Sequence, residues 1–423
     1  MRTMKDSGLS WVGEIPSDWV PHPVYYYFGE RKNKNIFGQE DNLLSLSYGR
    51  IIRRDINTNG GLLPESFNTY NIVEAGDIII RPTDLQNDKK SLRTGLCLER
   101  GIITSAYIAL RPIRRLNSGF FRYLLHAYDI SKVFYNMGNG VRQGLNFSEF
   151  SRLMVFEPPI EIQDKITQYL DTATAEVDEI ISDVQTQIDT LEQYKRSVIT
   201  ETVTKGLNPD AEMKDSGIEW VGEIPAHWLV HPVYYYYGER KNKNYLGKED
   251  NLLSLSYGRV VRKDINTSDG LLPESFNTYN IVETGDIIIR PTDLQNDKRS
   301  LRTGLVKEHG IITSAYIDLC PIKQVDSRYF YFLLHAYDVM KVFYNMGNGV
   351  RQGLNYSEFS RLMVFEPPYD EQVAMADYLE AKVEEVDVVI SDKKAQLATL
   401  DEYKKSLIFE YVTGKKEVSE GAD

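Results

Sequence analysis

Apolar runs of a few residues alternate with turn signals through residues 21–160, as in DNLLSLSYGRII, YNIVEAGDIIIRP and TGLCLERGIITSAYIAL. Short runs rich in Ile and Leu, bounded by Gly, Pro, Asn and Asp, predict strands of a mixed or antiparallel sheet. The tyrosine run at 25–27, repeated at 234–237, reads as strand packing. Residues 119–135, GFFRYLLHAYDISKVFY, switch to helical spacing. NFSEFSRL follows at 146–153, with Asn146 and Glu149 placed as a capping box. Pro158 and Pro159 then mark a boundary, because proline cannot continue a helix from the turn before it. Beyond them the apolar period becomes seven. Val177, Ile181, Val184, Ile188 and Leu191 follow a 3–4 spacing, and Val386, Ile390, Leu397 and Leu400 keep the same register later in the chain. That is the seam of a coiled coil, carried by two helices of about 40 residues and roughly 60 Å each.

The register is shared because the chain repeats. MKDSGLSWVGEIPSDW, from Met4, returns as MKDSGIEWVGEIPAHW from Met213, and the offset of 209 holds without a gap to Val412 and Thr413. Residues 21–160 match 230–369 at 111 of 140 positions, whereas 161–204 match 370–413 at 19 of 44. The globular parts therefore do one job twice. The expected organisation is a globular domain at 1–160, a helix and linker at 161–212, a second domain at 213–369 and a second helix and tail at 370–423. The fold class expected is α+β: two globular domains joined by two long helices that pair as an antiparallel coiled coil, with an internal pseudo-two-fold repeat.

A net charge of −12 argues at first against nucleic acid as a partner. The charge sorts by segment, however: residues 21–160 carry +5 and 230–369 carry +1, while 161–212 and 370–423 carry −8 and −7. The acidity belongs to the helices, and the objection lapses. Cys97 and Cys320 have no counterparts in the other copy, so a disulfide framework is not expected. With no apolar run of membrane length and no signal-peptide pattern, a soluble cytoplasmic protein is expected.

Four polar loops in each copy collect Arg, Lys, amide and Tyr side chains: GERKNKN at 29–35, SYGRIIRRD at 47–55, RPTDLQNDKKSLRTG at 81–95 and NMGNGVRQGLN at 136–146. These residue types bridge phosphates and hydrogen-bond base edges. In the first copy the candidates for DNA contact are Arg31, Lys32, Tyr48, Arg50, Arg81, Thr83, Asp84, Gln86, Asn87, Lys89 and Arg93. Their counterparts are Arg240, Lys241, Tyr257, Arg259, Arg290, Thr292, Asp293, Gln295, Asn296, Lys298 and Arg302. Catalytic readings find little support. No Walker A loop or nucleophile elbow is present, and Gly138 and Gly140 do not lead a strand into a helix as a dinucleotide site requires. The recurring pairs His22/His231 and His126/His335 lack the companions of a metal site, and His126 reads as a packing residue.

The leader MKDSG-x-x-WVGEIP-x-x-W, the boundary VFEPP-x-x-x-Q and the closing EYKKSLIFEYVTGKKEV at 402–418 together resemble the specificity subunits of type I restriction–modification systems. The resemblance covers essentially the whole chain, and copy one departs from it slightly, with PPIEIQ where copy two has PPYDEQ. It implies a non-catalytic chain whose two target-recognition domains each read half of a bipartite DNA site. The paired helices would space the domains and dock two methyltransferase subunits, which bind S-adenosylmethionine and methylate adenine N6; two restriction subunits could join them. The resemblance also puts Asn139, Arg142 and Gln143, with Asn348, Arg351 and Gln352, in a segment expected to make a DNA-backbone or scaffold contact in place of reading bases. The alternative is an orphan DNA-binding or architectural protein without methyltransferase partners.

Overall fold

The computed structural model describes residues 2–56, 64, 66–83, 85, 92–133, 135, 137, 144–265, 275–292, 294, 301–346 and 353–418. Compactness divides the chain differently from the four sequence segments. One unit is Met1–Val184 with Ala395–Asp423, and the other is Gln185–Lys394. Each unit therefore holds one globular domain, part of the first long helix and part of the second.

In the first unit the leader forms an antiparallel hairpin of Met4–Asp6 and Glu14–Pro16. Val20–Pro23 then pairs with Met154–Glu157 just before the helix boundary. The central sheet is antiparallel throughout, in the order Phe28–Glu30, Ile108–Pro112, Ile78–Ile80, Thr94–Leu96. Leu44–Ser47 with Arg50–Arg53, and Asn71–Val73 with Gly101–Ile103, add two-stranded ribbons. The Ile78–Ile80 run shows why the pattern lacks a polar face. Ile78 and Ile80 join the main core around Phe120, Phe121 and Leu124, while Ile79 points the other way into Leu44, Val73, Cys97 and Ile103. Side chains alternate sides in a strand, and here both sides are covered.

Helix Ser118–Ile130 starts where the Asn117 side chain accepts from the N–H groups of Gly119 and Phe120. It stops before the end of the predicted run, because Lys132 enters the left-handed region at φ 56. The Asn146–Glu149 capping box is present, opening the one-turn helix Phe147–Phe150. The tyrosine run corrects the strand reading: Val24–Tyr27 is a helical turn, with Tyr27 buried and Tyr25 exposed. Pro23 offers no N–H to extend the strand, so the chain coils there instead. The second unit repeats these elements, with the four-stranded order Tyr237–Glu239, Ile317–Pro321, Ile287–Ile289, Thr303–Leu305.

The long helices are Ile160–Lys205 and Tyr369–Val412. In the first unit the rings of Tyr169 and Tyr411 lie 4.5 Å apart, and Lys404 Nζ meets Asp178 Oδ1 at 2.5 Å. Advancing nine residues on one helix retreats seven on the other, so the pairing is antiparallel. In the second unit Lys195 Nζ meets Asp387 Oδ1 at 2.5 Å, and Ile199 and Val203 share a core with Met375, Ala376 and Leu379. With an offset of 209, these ion pairs are one pair with the two helices exchanged. Of the seam residues, Val177, Val184, Ile188, Val386 and Ile390 are buried, and Ile181, Leu191, Leu397 and Leu400 are half-buried.

Each leader tryptophan covers a helix end. Gly414, at φ 70, closes the second long helix against Pro16 and Trp19 in the first unit. Gly206, at φ 76, closes the first long helix against Trp228 in the second. The leader of one copy thus packs on the helix end of the other copy, which explains why the leader is duplicated.

Candidate nucleic-acid interface

The polar loops at 81–95 and 136–146 are separated in sequence but fastened together at their bases. The Leu145 N–H donates to the Pro82 carbonyl at 3.0 Å, and the second unit repeats this between Leu354 and Pro291 at 3.0 Å. At the far side of the loop, Arg93 donates from Nε to the Tyr135 hydroxyl at 2.9 Å and from Nη1 to the Thr83 carbonyl. Tyr135 in turn donates to Asp129 Oδ1 at 2.9 Å, and Asp129 also accepts the Arg93 backbone N–H. Arg302, Tyr344, Thr292 and Asp338 form the same cluster in the second unit, with Nε to hydroxyl at 3.0 Å. In each unit the described ends of the two loops are thus held together.

This geometry corrects one pair of site residues. Arg93 and Arg302 are completely buried, so no base or phosphate can reach them. Their guanidinium groups hold the loop backbone instead. The sequence reading missed their partners Asp129 and Asp338, fully buried acids in an otherwise apolar helix. The available signal was an aspartate repeated in both copies inside HAYD. Burial pushes both carboxyls up, against the pull of the arginine N–H and the tyrosine hydroxyl.

The remaining described candidates differ in how they are held. Arg31 donates from Nη2 to buried Asp77 at 2.9 Å, and Arg240 makes two bonds to Asp286 at 2.7 and 3.0 Å. These arginines brace the sheet edge and keep only part of their surface open. Lys32 and Lys241 stand out in solvent, each 2.8 Å from the glutamate two residues before it. Arg50 reaches from its hairpin to Asp178, and Arg259 to Asp387. Each hairpin is thus tied to the same aspartate that joins the helices. Tyr48 and Tyr257 are almost fully exposed. Thr83 and Thr292 are exposed, and Arg81 and Arg290 half-buried. Asp84, Gln86, Asn87, Lys89, Asn139, Arg142 and Gln143 lie outside the described residues, as do Asp293, Gln295, Asn296, Lys298, Asn348, Arg351 and Gln352.

His126 is packed in the core with Nδ1 3.2 Å from Thr94 Oγ1, and burial pushes it down to about 3; His335 is pushed down to about 4. Both are neutral packing residues at physiological pH. Among the described residues no three His, Cys, Asp or Glu side chains gather as metal ligands would, and no helix is long and apolar enough to cross a membrane.

No protein-family model matches the chain. Two proteins of Methanocaldococcus jannaschii, named as specificity subunits of the type I restriction enzymes MjaX and MjaVIII, are each 23% identical to it. The first match runs over 317 residues, 73% of this chain and 70% of the relative. The second runs over 342 residues and 75% of each. The chain is thus similar in sequence to specificity subunits of type I restriction–modification systems. A chain from a structure of a type I restriction–modification system shares the fold, with a TM-score of 0.68 over 95% of this chain and 99% of its own at 12% identity.

Proposed function

We propose that each unit reads one half of a bipartite DNA site through its polar loops, and that the two half-sites form an interrupted palindrome. The paired helices set the length of the non-specific gap and dock two methyltransferase subunits, which bind S-adenosylmethionine and methylate adenine N6 in each half. Restriction subunits join the same assembly when DNA is to be cleaved. The observation that carries this reading is the residue-for-residue duplication of the surface. The loop clasp, the buried Arg–Tyr–Asp cluster, the braced arginine and the exposed tyrosine recur with matching geometry in both units. Like surfaces read like sequences, as the equivalent halves of dimeric readers do on palindromes. Methylome sequencing of cells expressing the chain with its methyltransferase partner tests this. The expected motif is a short sequence, a fixed gap and the inverted complement; two unrelated half-sites would overturn it.

A further inference from the structure

Between Leu44–Ser47 and Arg50–Arg53 the chain reverses in two residues, Tyr48 at φ 45 and Gly49 at φ 78. The second unit does the same with Tyr257 at φ 47 and Gly258 at φ 80. Two successive left-handed residues make the tight hairpin turn whose first position suits Asn, Asp or Gly. Gly49 is accounted for, since a Cβ there would also fall 3.3 Å from Leu92 Cβ. Tyr48 is not accounted for by the fold. A bulky residue at positive φ is an outlier, and strained residues of this kind collect at functional sites. Its ring gains no burial in return: Tyr48 is 82% exposed and Tyr257 83%. Among the described residues neither ring has a stacking or cation partner, and neither hydroxyl a hydrogen bond.

The platform beneath the ring is firm. Leu44 and Leu46 anchor the hairpin in the interior, and Arg50 ties its tip to Asp178, which also binds Lys404. Leu253, Leu255, Arg259, Asp387 and Lys195 do this in the second unit. Each unit thus holds out an exposed tyrosine two residues before an anchored arginine, in a conformation costly to the turn.

We propose that Tyr48 and Tyr257 are stacking residues, each placing its ring on the face of a base at an opened step of the duplex. This rests on the DNA-recognition reading above and adds a mode of contact: stacking on a face in place of reading an edge. Aromatic side chains stack on any base, because every base has a π-face, and inserted side chains unstack a step from the groove. Such a contact locates the domain along the duplex without specifying a letter.

The test uses the full chain assembled with its methyltransferase subunits and duplexes of its methylome-defined motif, with 2-aminopurine at successive positions. Wild type is expected to raise the fluorescence at one position in each half-site. Tyr48→Gly should abolish one of the two signals and Tyr257→Gly the other, each weakening binding about tenfold. The unfolding temperature should hold or rise, since glycine suits the turn. Tyr48→Phe should restore the fluorescence lost in Tyr48→Gly. Wild-type-like binding and fluorescence in Tyr48→Gly would overturn the proposal, and so would a loss of stability large enough to explain the binding loss. If wild type itself shows no preference for its motif over scrambled duplex, the DNA-recognition reading falls, and the stacking proposal with it.

Discussion

Asp318 offers the most quantitative test of how the second unit is built. It sits in the strand Ile317–Pro321 and is buried to 1% exposure, yet neither carboxyl oxygen finds a hydrogen-bond partner. The nearest cation, Arg240 Nε, stands 4.0 Å away and is already bonded to Asp286. In the first unit the same position is Ala109, packed among Leu44, Val73 and Ile79. Burial, reinforced by the charge of Asp286 and partly offset by Arg240, pushes the Asp318 carboxyl up to about 8 from 3.8. A carboxyl bound more tightly to its proton in the folded state costs nothing below the unfolded value. It then destabilises the fold progressively as pH rises toward the folded one. At about 1.4 kcal/mol per pH unit, the cost is about 4 kcal/mol at pH 7 and about 6 kcal/mol above pH 8. Asp318→Ala should therefore match wild type near pH 4 and exceed it increasingly at higher pH. For a unit of this size the melting temperatures should diverge by about 3–5 °C per pH unit. Calorimetry of both full-length proteins from pH 4 to 8.5 checks this. Parallel melting curves across that range would refute the reasoning, because they would mean that Asp318 is ionised at no cost.

Other positions make independent predictions. Arg93→Ala should destabilise the first unit by about 3 kcal/mol, because it leaves buried polar partners unsatisfied, and should weaken binding to all sequences alike; a stable variant with one relaxed motif position would restore Arg93 as a base reader. His309 bridges Glu249 and Glu283, each at 2.9 Å, where the first unit has Arg100 between Glu40 and Glu74. Hydrogen bonding to Glu283 raises His309, so the bridge is complete below pH 6.5 and lost as pH rises past the raised value. An NMR titration should give a midpoint above 6.5, and His309→Arg should keep hydrogen-exchange protection around residue 249 constant across that range. Gly414→Ala places a Cβ 2.5 Å from Pro16 in a left-handed residue, so it should cost at least about 1 kcal/mol. Limited proteolysis should then release the C-terminal segment faster than in wild type.

Strands such as Ile78–Ile80 and the capped turn at Asn146 were legible in the sequence because their signals are local: short apolar runs, turn residues and the spacing of a cap. The end of helix Ser118–Ile130 was not, since apolar residues run on past Lys132 while the backbone turns left-handed. Burial of Arg93 was equally hidden, because an arginine in a polar loop looks the same whether it faces solvent or an aspartate 36 residues away.

By itself the sequence determined that there are two copies, that each pairs a sheet-bearing domain with a heptad helix, and that the acidic charge lies on the helices. These follow from period, composition and offset, which need no third dimension. Only the tertiary structure decided which parts belong together. The repeat makes the two leaders nearly interchangeable as text, so nothing in it says that Trp19 covers the helix end at Gly414 while Trp228 covers the one at Gly206. Nor could it say that Asp178 would meet Lys404 and Lys195 meet Asp387. Antiparallel packing settles both, because it brings the start of each helix beside the end of the other and so builds each unit from both halves of the chain.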